Sequence, residues 1–357
     1  MKLRIKKVSD EMFKKKRPQE PKRPFSYIEK EVSFKNSIDG TVLKGTLTLP
    51  DTQKKYPAVI LVTGSGAQNR DEEILGHKPF LVIANHLTKA GIAVLRYDDR
   101  HFKMPIKKGW SYTTKDFAND AKAAVDFLEQ QENIVPSFIG IAGHSEGGVV
   151  APMVASTDSR VAFIITLAGT GLSGREIAVK QNQYFSENKK DAEFAKIAHE
   201  IVINEPDFLL RKKKIWQAVN DFYGKFNLLM KIKFLFAMNI TASEWNRFFI
   251  MYDPAEALEK VTCPVLALNG EYDIQVLPQD NLPAIEEALK KAKNTDYTTM
   301  IIPKANHLFQ IVESGGPKPY SKLVKEYAMT EQTFDPEVLK IMTEWIIKRV
   351  TTDKKKG

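Results

Sequence analysis

Short apolar runs separated by stretches of helical spacing recur along this chain, and that alternation constrains its fold more than any other feature. The runs fall at residues 58–62, 92–96, 138–141, 161–167, 265–268 and 298–302. Between them, Phe80, Ile83, Ala84 and Leu87 lie on one helical face closed by Gly91, and Phe117, Ala121, Ala124, Val125 and Leu128 repeat the pattern. Ile285, Ala288, Leu289 and Ala292 do so again, as do Val338, Met342, Trp345 and Ile346 behind the helix start Asp335-Pro336;. Continuous Val/Ile/Leu runs suit strands buried on both faces, so the alternation predicts an α/β fold: a mostly parallel central sheet wrapped by helices. Ahead of it, residues 31–34 and 41–49 flank Asp39-Gly40, the pattern of a β-hairpin;.

The rhythm breaks once, between Gly171 and Val261. This stretch has no strand-like run and is dense in aromatics, among them Trp216, Phe226, Phe234, Phe236, Trp245 and Phe249. Its periodicity predicts four or five amphipathic helices, with most of the aromatics forming their own core and some lining a cavity beneath. The expected organisation is a basic, flexible leader over 1–24, a core over 25–170 and 262–350, a helical cap over 171–261 inserted before the strand at 265–268, and a basic tail over 351–357.

The net charge of +9 is carried by the ends. Residues 1–24 hold ten Lys/Arg against three Asp/Glu and residues 351–357 three against one, so the segments contribute +7 and +2 and the body between them is formally neutral. Solvated tails explain this without a nucleic-acid partner. Cys263 is the single cysteine, which excludes an intrachain disulfide and suits a buried core position;. No apolar run approaches the roughly 20 residues of a membrane span, and no apolar stretch follows the basic start as in a signal peptide. The expected compartment is cytoplasmic, or secreted or periplasmic if a signal has been removed.

The sharpest local signal is Gly143-His144-Ser145-Glu146-Gly147-Gly148, directly after the run 138–141 and before a helix-like stretch over 149–155. Strand, G-x-S-x-G, helix is the context in which a tight turn exposes a serine hydroxyl as a nucleophile. Such a hydroxyl needs a base and a group that orients the base. Of the six histidines, His144 lies inside the turn, His77, His86 and His101 belong to earlier elements, and His199 falls in the inserted stretch. His307 remains, just past the last run, where open sheets place their sites. Asp273 follows the preceding run and is the expected orienting acid, with Glu271 its competitor. The turn Val62-Thr63-Gly64-Ser65-Gly66 can supply backbone donors to a developing oxyanion, Ser65 before Gly66, together with the N–H of Glu146. The side chain of Glu146 is expected to favour its own helix N-terminus. Neither a P-loop nor a dinucleotide fingerprint fits, because Gly64 leads to Asn69-Arg70-Asp71;. Arg96, Asp98, Asp99 and Arg100 could contact substrate or brace the loops around the site.

From about residue 25 to 350 the chain resembles the α/β-hydrolase superfamily. More narrowly, the stretches 64–73, 95–100, 143–148, 252–254 and 263–276 resemble capped bacterial carboxylesterases of the dienelactone-hydrolase-like and serine-aminopeptidase-like group. The resemblance implies hydrolysis of small-molecule esters without cofactor or metal, and it departs at His101-Phe102, where relatives continue with glycine. A roofed apolar pocket favours short to medium acyl chains. A serine peptidase or acyltransferase would use the same triad, and a non-catalytic ligand-binding protein the same fold. Oligomeric state is not legible in the chain.

Overall fold

The computed structural model describes residues 16–104, 110–185, 189–224, 237–313 and 320–353. The expected hairpin is β1 (Ile28–Lys35) and β2 (Val42–Leu49), antiparallel from Ile28 opposite Leu49 to Lys35 opposite Val42. From β3 (Tyr56–Val62), α1 (Pro79–Lys89) crosses to β4 (Ala93–Tyr97), and α2 (Thr114–Glu129) returns to β5 (Ile134–His144) on the far side of β3. Then α3 (Gly147–Ala155) leads to β6 (Val161–Leu167). The inserted helices include α4 (Gly174–Phe185), α5 (Lys189–Asn204), α6 (Phe208–Tyr223), α7 (Glu244–Met251) and the single turn α8 (Ala255–Leu258). The sheet resumes with β7 (Val265–Gly270), α9 (Pro278–Lys291) and β8 (Tyr297–Ile302), followed by α10 (Tyr320–Met329) and α11 (Pro336–Asp353). The order is β1-β2-β4-β3-β5-β6-β7-β8, parallel throughout except where β2 pairs with β1 and β4.

Burial of both sheet faces is visible residue by residue in β3. Ile60 and Val62 join a cluster with Ala124, Leu128, Val150 and Leu289, whereas Val59 and Leu61 join another with Phe80, Leu87, Val338 and Met342. Successive side chains of a strand point to opposite faces, so helices on each side must cover them. Each such buried side chain contributes on the order of 1.5–3 kcal/mol. β5 begins earlier than its apolar run because Pro136 interrupts the run but not the strand, which pairs Ile134 with Tyr56 before the register shifts.

The inserted helices have a core of their own, built on Val202, Ile215, Val219 and Ile250 with Phe194, Trp216 and Phe249 against it. Phe226, Phe234 and Phe236 lie outside the described residues. Among the described residues no helix is long and apolar enough to cross a membrane.

Two expectations need correction. The described part of the leader, residues 16–24, is fastened to the body. The Arg17 guanidinium donates to the carbonyls of Gly76, Ala328 and Thr330 at 3.1, 2.9 and 2.7 Å, and the Gln19 amide bonds the backbone of Thr333 and Phe334. Basic composition suggested a solvated segment, but a guanidinium presents several donors, and carbonyls at loop ends accept them. Cys263 is only partly buried: it stands just ahead of β7 and packs against the rim of the core cluster. Burial still pushes its thiol pKa up to about 12, so it stays protonated and inert;.

Candidate active site

Every candidate group stands in a loop at the carboxyl end of a parallel strand. Thr63 to Gly66 follow β3, Ser145 follows β5, Asp273 follows β7 and His307 follows β8. Ser145 has φ of 53°, a left-handed conformation that few residues with a side chain adopt;. Its N–H donates to the Leu167 carbonyl at 2.8 Å and its carbonyl accepts from Gly148 at 2.9 Å, which fixes the turn between β5 and α3. The turn requires bare backbone on either side. A Cβ at Gly143 would stand 1.9 Å from the Gly147 carbonyl oxygen, and one at Gly147 would stand 2.1 Å from that of Val62.

His307 Nδ1 lies 2.7 Å from Asp273 Oδ2. The other Asp273 oxygen accepts the N–H groups of Gln275 and Val276 at 2.8 and 2.9 Å, so the carboxylate is held at both ends. Glu271 is elsewhere, exposed and accepting the Lys304 N–H at 2.7 Å. With Nδ1 turned to the acid, Nε2 is the ring nitrogen left to exchange a proton. The Ser145 hydroxyl forms no hydrogen bond among the described residues. Ser145 and His307 line one cavity of about 350 Å³, together with Gly64, Ser65 and Glu146. Its walls include Ile177 of α4, Trp245 and Phe249 of α7, and Leu308. A second cavity of similar volume lies wholly among the inserted helices, beside His199, and contains none of these groups.

Two carboxylates, Asp99 and Glu72, hold the loop after β3. Asp99 accepts from the Thr63 hydroxyl and the Gln68 N–H at 2.7 and 2.8 Å, and Glu72 accepts the Gly64 N–H at 2.7 Å. Glu146 accepts from the Thr114 hydroxyl at 2.6 Å and from the Trp245 indole at 2.9 and 3.1 Å. Burial raises the carboxyl pKa of both Asp99 and Glu146, against the pull of their donors;. Among the described residues, the N–H groups of Ser65 and Glu146 have no protein acceptor, whereas that of Gly64 is occupied by Glu72. Gly66, with φ of 106°, sits beside them at the loop tip.

Glu146 stands at the N-terminus of α3 and makes no side-chain capping bond. Its backbone is already helical (φ −58°, ψ −35°), whereas a capping side chain needs an extended backbone to fold back onto the first turn;. Arg100 and Asp99 do not line the cavity. Arg100 is buried against Asp120 at 2.6 and 2.7 Å and reaches Asp39, so these charges brace the loops. Arg70 links to Asp98, and Arg96 to Asp71. The His101 ring stacks on Phe117 with centroids 5.2 Å apart. Two partners escaped the sequence reading. Glu72 meets His144 at 2.9 Å, and Trp245 reaches Glu146 from the insertion. An acidic residue eight positions past Gly64 was the available signal for the first; nothing local announces the second.

Residues 39–309 match the X-Pro dipeptidyl-peptidase (S15) family, a span that runs from the hairpin to just beyond His307. The chain belongs to that family. It is a hydrolase with the α/β-hydrolase fold. Among curated relatives, Esterase EstD of Thermotoga maritima is 26% identical over 343 residues, covering 96% of this chain and 74% of that protein. Among solved structures, the α/β hydrolase GrgF from Penicillium sp. superposes with a TM-score of 0.53 at 18% identity, covering 79% of this chain and 91% of its own. DcsB, solved with a substrate analogue, gives 0.55 at 18% identity, covering 90% and 99%. At such identities the two structures speak to the fold alone.

Proposed function

We propose that this protein is a serine esterase that cleaves short- to medium-chain acyl esters through an acyl-enzyme. The observation that carries the reading is the pairing of a left-handed serine at the end of β5 with a His307–Asp273 contact opening on the same cavity. In this reading Ser145 Oγ attacks the ester carbonyl carbon while His307 Nε2 takes its proton, and Asp273 holds the imidazole and stabilises its charged form. The oxyanion meets the N–H groups of Ser65 and Glu146. His307 then protonates the departing alcohol, and water, activated by the same ring, releases the acid. Catalytic hydrogen bonds that are open in a free enzyme commonly close when substrate docks, which accommodates the unbonded Ser145 hydroxyl.

The esterase name of the Thermotoga relative supports ester substrates. The family's description favours a second reading, cleavage of peptides after an X-Pro unit by the same residues. The cavity supports the ester: Ile177, Trp245, Phe249 and Leu308 reward buried methylenes, at roughly 0.8 kcal/mol each, until the space is filled;. A panel of p-nitrophenyl esters assayed beside X-Pro nitroanilides decides between them. Faster cleavage of the nitroanilides would establish the peptidase.

A further inference from the structure

Glu72 belongs to the stretch 64–73 that marked the resemblance, yet ester hydrolysis as proposed gives it no task. It is buried, 3% exposed, and one of its oxygens does two things. Oε1 accepts the Gly64 N–H at 2.7 Å and meets His144 Nδ1 at 2.9 Å. On the opposite side of that ring, His144 Nε2 lies 2.9 Å from the carbonyl oxygen of His307, and the two imidazoles lie with centroids 4.8 Å apart, tilted by 49°. A single carboxylate oxygen and one ring therefore connect the loops after β3, β5 and β8.

The chemistry of the contacts constrains the protons. A carbonyl oxygen only accepts, so His144 Nε2 carries a hydrogen. Nδ1 faces the Glu72 carboxylate at 2.9 Å, a partner that favours the charged, imidazolium form of the ring;. Burial opposes that charge, but the Glu72 carboxylate, its hydrogen bond and the His307 carbonyl outweigh it, with Asp273 adding to them, and the His144 pKa is raised.

We propose that Glu72 and His144 are positioning residues of the reaction: the pair occupies the Gly64 N–H, so that the Ser65 N–H is the donor presented to the oxyanion, and it pins the backbone that carries His307. The proposal rests on the esterase reading, and it goes further by assigning the registration of oxyanion loop, nucleophile and base to two residues outside the triad. Displacement of any of these by about 1 Å is enough to cost on the order of 100-fold in rate.

The test compares Glu72→Ala, Glu72→Gln, His144→Gln and the double variant Glu72→Gln/His144→Gln with the parent on p-nitrophenyl butyrate, scaled to active sites titrated with a fluorophosphonate. Glu72→Ala should lower kcat about 100-fold with KM within about threefold, and Glu72→Gln, which retains an acceptor for Gly64, about tenfold. The double variant should be no slower than the worse single one, because the two residues act as a unit. Retention of kcat within about twofold in Glu72→Ala, or a loss in the double variant equal to the product of the single losses, overturns the proposal. Proton NMR tests the pair without any turnover. His144 Nδ1–H should give a strongly deshielded resonance that disappears in Glu72→Gln and persists in Asp273→Asn; its survival in Glu72→Gln overturns the pairing. A parent protein that keeps this resonance but hydrolyses no ester would sink the esterase reading and leave the pairing standing.

Discussion

His307 meets Asp273 through Nδ1 at 2.7 Å, and the second carboxylate oxygen is locked by two backbone N–H groups, so the acid cannot turn away from the ring. Replacing Asp273 by Asn keeps the shape and removes the charge. The wrong imidazole tautomer is then favoured, and kcat should fall by about 10⁴-fold. Glu271→Gln, which touches only the exposed Lys304 N–H, should stay within about twofold of the parent;. Steady-state kinetics on p-nitrophenyl butyrate measure both, and the reverse ranking would exchange the roles of the two acids.

Ser145→Ala should abolish turnover and leave the melting temperature close to that of the parent, since the hydroxyl makes no hydrogen bond among the described residues. A fluorophosphonate should modify Ser145 in the parent and nothing in the variant. Mass spectrometry of the labelled protein reads this directly, and undiminished labelling of the alanine variant would remove Ser145 from the mechanism.

Acyl-chain dependence should follow the cavity. With about 350 Å³ beside Ser145 and aromatic walls from α7, kcat/KM should climb from acetate toward butyrate and hexanoate esters and fall for long-chain esters;. Trp245→Ala should extend the optimum to longer chains by opening the wall, at some cost in kcat because Glu146 loses an indole donor. An unchanged chain-length profile in that variant would place the acyl group elsewhere.

Acid should destabilise the protein through His77. Its ring is buried, donating to the Tyr327 carbonyl at 2.8 Å and accepting from the Thr333 hydroxyl at 3.0 Å, and burial lowers its pKa to about 4. The unfolded chain takes up a proton at this site near pH 6.5 and the folded chain only near pH 4, so stability is lost as pH falls between those values, by about 3 kcal/mol at most. Asp99 and Glu146, with raised pKa values, work in the opposite direction. The informative quantity is therefore the difference between parent and His77→Gln, whose melting temperature should decline less between pH 7 and pH 5. Parallel decline would assign the acid sensitivity to other groups.

Periodicity made the core legible, because a strand covered on both faces must be apolar throughout and a helix on one stripe only. Ile60 and Val59 read correctly as strand residues for that reason, and Ser145, Asp273 and His307 could be ordered along the chain because each follows a run. What escaped were contacts between distant segments. Trp245 and Glu146 are 99 positions apart, and no local pattern links them. Arg17 looked like one charge among many, since charge density says nothing of which carbonyls a guanidinium will find. Glu72 and His144 were individually visible, but their meeting depends on how two strand ends sit side by side.

The bare backbone around Ser145 also has a bearing on how such a protein can diversify. Since even a methyl group at Gly143 or Gly147 would collide with a carbonyl oxygen, the neighbourhood of Ser145 offers descendants almost no viable steps. Ile177, Trp245 and Phe249 belong to helices with a core of their own, outside the sheet. Adaptation to new acyl groups, in nature or in a directed-evolution library, should accordingly accumulate in the insertion, and mutagenesis effort is best concentrated on those three positions.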